Sequence, residues 1–296
     1  MMDNKILLTG ITGNVGSAVV NYLKSINIDF IAGVRNIEKS KQKDDSIQYV
    51  HFDFEDALTY ETALHGVKKI FLVRPPQLTD VRGIFKPFIK KCKEAGVKQI
   101  VFLSLLGAEM NPFPPHHKIE NAIVESEIPY TFIRPSFFMQ NLSTTHAEDI
   151  KERHDLFIPS GKARISFIDT RDIGEIIGRT ITEEGHENKA YTITGSEAIT
   201  YFEVADTMTR LLERKITYSN PPLLKFRKNM IDRGIKREFA TVMMILYFTT
   251  KLGMANHVTN TAELLLKRKP RTIEDFIKDH LDVWKCGNLK DRVYLQ

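Results

Sequence analysis

The stretch TGITGNVG, Thr9 to Gly16, follows the apolar run ILLT and leads into an amphipathic segment from Val15 to Lys24. Its glycines, Gly10, Gly13 and Gly16, are spaced GxxGxxG. Gly10 suits a sharp exit from a strand, Gly13 lets a pyrophosphate approach the backbone, and Gly16 permits close helix packing. A helix starting near Asn14 turns free N–H groups towards an anion. Glycine turns also join strand to helix where nothing binds, so the surroundings decide. A second apolar segment ends in AGVRN, which places Arg35 where an acidic residue would bond the ribose hydroxyls of NAD. A guanidinium there suits a 2′-phosphate, with Lys39 and Asn36 in support. The expectation is NADP, NADPH being preferred over NADH, against the plainer reading of a surface arginine.

The elements that must position this loop alternate along the first half. ILLT, FIAGV, IQYVHF, KIFLV, QIVFLSL and YTFIRP have strand length, and helix-like segments separate them. Such alternation predicts an α/β fold, a Rossmann-type doubly wound parallel sheet covered by helices. Phe85, Phe88, Ile89 and Cys92 fall on one helical face, with Pro87 starting or kinking that helix. Pro75 and Pro76 close KIFLV and put a loop at a strand's carboxyl end, where open parallel sheets bind ligands. Residues 1–155 are expected to form the dinucleotide-binding domain, with strands near 165–195 rejoining its sheet. Residues 196–296 are expected to form a smaller, mainly helical C-terminal lobe across an interleaved boundary.

Composition narrows the classes. A chain of 296 residues, 42% hydrophobic and without low-complexity segments, buries a full core. The run VMMILYF from Val242 is far shorter than the roughly 18 residues of a membrane span, and reads as a buried helix. With no leader-like segment in MMDNKILLTG, the expected location is cytoplasmic, without membrane attachment. Cys92 and Cys286 fit a reducing compartment and give no metal-binding spacing. Lys and Arg gather from Arg210 to Arg237; no helix-turn-helix or zinc motif accompanies them, so a solvated face is favoured over nucleic acid.

These segments resemble the NmrA-like group of atypical short-chain dehydrogenases, Rossmann-fold proteins that include NADPH-dependent quinone and azo-dye reductases and redox-sensing regulators. The resemblance rests on the loop from Thr9 through Thr12, Asn14 and Val15 to Gly16, on Arg35, and on HFDFED, VFLSLLGAE, PYTFIRPSFFMQN and DTRDIG; RKPRTIEDFIKDHLDVW resembles the closing helix, so nearly the whole chain is covered. It implies that Asp53 and Phe54 lie beside adenine, and that Val73, Arg74 and Pro75 line the ribose. Ser104, Leu105, Pro135, Ser136 and Phe137 then stand near the nicotinamide, and Phe138, Met139 and Asn141 face the substrate. Simpler readings stand beside these: Phe54 as core, Asp53 as a turn residue, Ser104 as a cap, and Phe137 to Met139 as apolar core.

Ketone-reducing short-chain dehydrogenases carry YxxxK, whose Tyr protonates the developing alkoxide. The expectation is that this chain has no such pair, and Arg134, not Lys, follows Tyr130 at the lysine spacing. Counting back from Thr131, the group's lysine position falls on His116, with Lys118 nearby. The resemblance gives His116 a hydrogen bond to the nicotinamide ribose or the acceptor, and Lys118 positive charge. The expected activity is therefore NADPH-dependent hydride transfer to a small planar acceptor such as a quinone or azo compound. The alternative is a non-catalytic NADP(H) sensor that binds a regulatory protein; a homodimer is compatible with either.

Overall fold

The computed structural model describes residues 5–285, which divide into two units. The first comprises residues 5–136, Thr170–Ile193 and Asn260–Lys269. The second comprises Phe137–Asp169, Thr194–Thr259 and residues 270–285.

The first unit is built on seven parallel strands: β1 (Lys5–Leu8), β2 (Ile31–Val34), β3 (Gln48–His51), β4 (Val67–Val73), β5 (Gln99–Leu103), β6 (Tyr130–Pro135) and β9 (Lys189–Ile193). All six apolar segments of the first half become strands. The spatial order is β3-β2-β1-β4-β5-β6-β9. The winding reverses between β1 and β4, which opens a crevice at their carboxyl ends. Strands buried on both faces explain the continuous apolar runs: β5, QIVFL, is buried at every position. Below β4 and β5, Lys69 Nζ donates to the Ile181 carbonyl (2.7 Å) and Gln99 Nε2 to the Thr180 carbonyl (3.1 Å), serving acceptors in the last turn of the Thr170–Thr182 helix. That helix approaches the Asn14–Ser25 helix at Gly174, where a Cβ would lie 2.6 Å from Ala18 Cβ. Pro87 stands at the start of the Lys86–Glu94 helix, as its fixed φ favours.

The second unit holds β7 (Phe137–Phe138) and β8 (Phe167–Ile168), paired parallel, and a set of helices around Trp284, Tyr201 and Phe226. Two expectations change here. The chain leaves the first unit at Ser136 rather than near residue 155, because Phe137–Phe138 pairs with β8; of the strands near 165–195 only β9 rejoins the main sheet. The second unit is thus not purely C-terminal, and residues 260–269 return to the first unit, where Arg268 meets the buried Asp172 at 2.9 Å. The helix Arg237–Lys251 is not buried throughout: Ala240, Met243, Tyr247 and Thr250 face the core, whereas Val242, Ile245, Leu246 and Phe248 are exposed. A run apolar at every position presents more surface than one helical face can bury.

The expected closing helix is two short ones, Ile273–Asp279 and Leu281–Trp284. Among the described residues no helix is long and apolar enough to cross a membrane. Cys92 is buried and free, and Cys286 lies outside the described residues.

Candidate functional site

The glycine loop leaves β1 at Thr9. Thr9 Oγ1 donates to the Phe71 carbonyl (3.0 Å) and accepts from the Val73 N–H (2.9 Å), clamping β1 to β4. Its proton is spent on that clamp, so the Thr9 hydroxyl has none to donate to a phosphate. Gly10 has φ +64, a left-handed conformation, and a Cβ there would meet Val73 Cβ at 2.9 Å. At Gly16 a Cβ would fall 2.1 Å from the Gly10 carbonyl oxygen, so only glycine lets the helix start against the loop. Gly13 differs: its Cβ would have one neighbour, Gly10 O at 3.6 Å. Gly13 also caps the Asn14–Ser25 helix, with no side-chain cap and no acid in the first turn, so the N–H groups of Asn14, Val15 and Gly16 carry the helix's positive end uncompensated by a side chain. A cradle with space over Gly13 and donors beside it has the form an anion needs, and Thr12 lies within it.

Arg35 follows β2 and is exposed, as is Lys39; neither forms an ion pair with another described residue. Asn36 caps the Ile37–Lys41 helix, its Oδ1 accepting from the Lys39 N–H (2.9 Å). Asp53 Oδ1 accepts from the Glu55 N–H (3.0 Å), a turn. Phe54 packs in the core, its ring 4.7 Å from Phe52 and 5.3 Å from Phe85, as the plainer reading of it expects. After β4 the Arg74 guanidinium ties its own loop, Nη1 donating to the carbonyls of Pro75, Pro76 and Leu78 at 2.9 to 3.0 Å. Pro75 contributes a carbonyl to this loop, while Val73 packs on Gly10.

The segments that leave β4 and β5 carry polar atoms buried without a partner: Arg74 Nε, Ser104 Oγ and His116 Nδ1. Ser104 is buried, and its amide bonds the Ile133 carbonyl of β6 at 2.8 Å. His116 stands in the first turn of the Pro115–Glu125 helix with its ring 6.0 Å from Phe102. Burial, and then the nearby positive charge of Arg74, push the His116 pKa down to about 3, so its imidazole is neutral at ordinary pH. It can bond a ligand; it holds no imidazolium proton to give. Lys118 is exposed on the same helix. An orphaned buried hydroxyl or ring nitrogen costs on the order of 1–3 kcal/mol; Arg74 follows β4, and Ser104 and His116 follow β5, so a ligand at these strand ends is one that could supply the missing partners. Leu105 begins the following loop, and Pro135 anchors it by accepting from the Leu106 N–H (3.0 Å). Ser136 N–H bonds the Ile193 carbonyl.

The segment expected at the substrate belongs to the second unit. Phe137 and Phe138 are half-buried in β7, with the Phe137 ring 6.3 Å from Tyr247. Met139 is 2% exposed inside that unit's core, which makes it a packing residue. Asn141 is half-buried and its carbonyl accepts from the His146 N–H. The expected absence of a Tyr-x-x-x-Lys spacing does not hold, since Tyr247 and Lys251 stand at that spacing. It is no catalytic pair here: Tyr247 is buried, its hydroxyl bonds His146 Nε2 (2.8 Å) and Tyr201, and burial raises its pKa, while Lys251 is exposed. The basic stretch is partly internal bracing, with Arg233 on Asp149 and Glu148 (both 2.7 Å) and Arg214 on the Trp284 carbonyl (2.7 Å).

The parallel sheet with its switch at β1 and β4, and the glycine cradle at that switch, define a Rossmann-type nucleotide-binding protein. The chain belongs to the NmrA-like family, whose model matches residues 2–277. It is 32% identical to an NAD(P)H azoreductase of Xenophilus azovorans, over 93% of this chain and 97% of that one. It is 29% identical to quinone oxidoreductase 2 of Escherichia coli over 73% of this chain and 77% of the relative. The crystal structure of the Escherichia coli NADPH-dependent quinone oxidoreductase QOR2 complexed with NADPH superposes with a TM-score of 0.84 at 25% identity, covering 94% of this chain and 99% of that one.

Proposed function

We propose that this protein is an NADPH-dependent oxidoreductase that passes hydride to a small planar acceptor of the quinone or azo class. The observation that carries the reading is the group of unpartnered polar atoms, Arg74 Nε, Ser104 Oγ and His116 Nδ1, on the segments that leave β4 and β5 beside an open glycine cradle. The azoreductase and quinone-reductase relatives support the class of reaction.

In this reading the pyrophosphate lies over Gly13 against the N–H groups of Asn14 to Gly16, and Arg35 with Lys39 takes the 2′-phosphate. Bound NADPH supplies the hydride. Ser104 and His116 bond the nicotinamide side or the acceptor as neutral groups. That neutrality selects among acceptors: a simple ketone needs a proton at one oxygen as charge develops, and lacking the acid costs about 10²–10⁴ in rate. A quinone takes up hydride and one proton from water to become hydroquinone, leaving NADP⁺, and spreads the developing charge over its conjugated system. Quinones therefore rank above ketones.

The test mixes purified protein with NADPH and a panel of quinones, azo dyes and aldehydes and follows the reduced-nicotinamide absorbance. Turnover with quinones or azo dyes and none with aldehydes is expected. The exposed apolar side of the Arg237–Lys251 helix favours a second reading, a sensor that meets a regulatory protein there. Silence across the panel, with NADPH binding demonstrated by fluorescence, would replace the reductase by that sensor.

A further inference from the structure

Between β5 and the Pro115–Glu125 helix runs a loop that begins at Ser104 and ends at His116, the residues whose Oγ and Nδ1 lack partners. It displays two large apolar side chains to solvent: Met110 is 81% exposed and Phe113 85%. A lone exposed apolar residue needs no explanation. Two on one restrained loop do, because this loop is tightly tied. Gly107 has φ +78; the Met110 and Asn111 N–H groups both donate to its carbonyl (3.1 Å), and the Phe113 N–H donates to Asn111 Oδ1 (3.1 Å). His117 Nδ1 donates to the Ala108 carbonyl (2.7 Å) while its Nε2 accepts from the Asn121 amide (3.0 Å). Glu109, next to Met110, pairs with Arg134 (3.1 Å), itself held by the buried Glu120 through two bonds of 2.9 and 2.6 Å. Pro112, Pro114 and Pro115 stiffen what remains. The loop is thus braced in a shape that keeps a thioether and a phenyl ring in water, at the carboxyl edge of the sheet where ligands of such folds lie.

We infer that Phe113, seconded by Met110, is a specificity-determining surface for the acceptor, the phenyl ring lying against one face of a fused-ring planar molecule. The inference rests on the reductase reading above and adds the preferred class: polycyclic quinones or multi-ring dyes rather than single-ring compounds. An aromatic face gains contact with each added ring, and a flexible Met adapts to its edge. Phe113 takes no part in hydride transfer, so its loss acts on acceptor binding and leaves chemistry at saturation alone.

The experiment measures NADPH oxidation by the full chain and by Phe113→Ala, Phe113→Tyr and Met110→Ala, with phenanthrenequinone and with benzoquinone, each corrected for its uncatalysed rate. For Phe113→Ala the KM for phenanthrenequinone rises roughly five- to tenfold, about the loss of one aromatic contact face. Its kcat is unchanged, the KM for benzoquinone moves less than about twofold, and NADPH affinity by fluorescence titration stays that of the unaltered protein. Phe113→Tyr restores the KM, and Met110→Ala shows a smaller rise. An unchanged phenanthrenequinone KM, or equal changes for both quinones, overturns the inference; weakened NADPH binding would assign the loop to the cofactor instead. Absence of turnover by the unaltered protein with every acceptor would remove the reductase reading itself, and this inference with it.

Discussion

Gly13→Ala separates a phosphate cradle from a bare turn. Gly13 has φ −88 and ψ 168, ordinary extended values that alanine adopts without strain. The added Cβ meets only Gly10 O, at 3.6 Å, an ordinary contact. As a helix cap alanine is worse than glycine by several tenths of a kcal/mol, and its stiffer unfolded chain returns about 0.4–1 kcal/mol, so stability should stay within about 1 kcal/mol of the parent. In a chain of this size that is a melting shift of roughly 2–4 °C at most. Ligand affinity should respond quite differently. The methyl occupies the space over which the pyrophosphate must approach, and a charged oxygen pushed off one backbone N–H forfeits about 1.5–3 kcal/mol, roughly 10- to 150-fold in NADPH Kd.

Gly16→Ala is the contrasting variant. Its Cβ would lie 2.1 Å from Gly10 O, 2.7 Å from Gly10 C and 2.8 Å from Ile11 Cα, all backbone atoms that cannot rotate away. The helix must shift from the loop, costing about 1–3 kcal/mol of stability as well as the cofactor. Fluorescence titration with NADPH beside a thermal melt reads both quantities. A Gly13→Ala protein that melts like the parent and binds NADPH equally well would refute the cradle, whatever Gly16→Ala does.

Arg35→Ala should weaken NADPH by roughly 10- to 100-fold, one charged contact, and NADH by less than about twofold; equal losses in paired titrations would cancel the 2′-phosphate assignment. Ser104→Ala removes a buried hydroxyl that has no partner, so urea stability should hold or rise while kcat/KM falls by about tenfold or more; unchanged kinetics would make Ser104 a packing residue. His146, fully buried with its pKa held near 3 by burial and by Arg233, lies below its ordinary 6.5, so between these values the unfolded chain binds the extra proton and stability falls as pH falls. From pH 7 to pH 5 that loss is about 2 kcal/mol, set almost wholly by the unfolded value. Trp284, the chain's one tryptophan and buried in the same unit as His146, reports it by fluorescence in urea. His146→Phe should flatten the pH slope by that amount, and an unaltered slope would show that His146 is already charged in the fold.

The parts of the candidate site that are legible in the sequence are those where chemistry is fixed by backbone and order along the chain. A glycine triplet between a strand and a helix, an arginine after the second strand, and prolines after the fourth depend on local geometry, and the six apolar segments had strand length because a doubly covered parallel sheet buries both faces. What sequence could not reach depends on how a side chain spends its bonds in three dimensions. Thr9 and Ser104 are both hydroxyls at strand ends, yet Thr9 closes two bonds to β4 whereas Ser104 Oγ has none. Phe54 and Phe113 are both aromatic residues near carboxyl ends, yet one sits among Phe52, Phe85 and Phe88 and the other stands in solvent. Tyr247 and Lys251 have a catalytic spacing, and only the bonds to His146 and Tyr201 reveal a core role. The proposed function rests on the polar atoms the fold leaves unsatisfied and the apolar ones it leaves wet. Replacing Ser104 by alanine should leave the protein at least as stable, and in the proposed function the cost of its unpartnered hydroxyl is one that a bound ligand would offset.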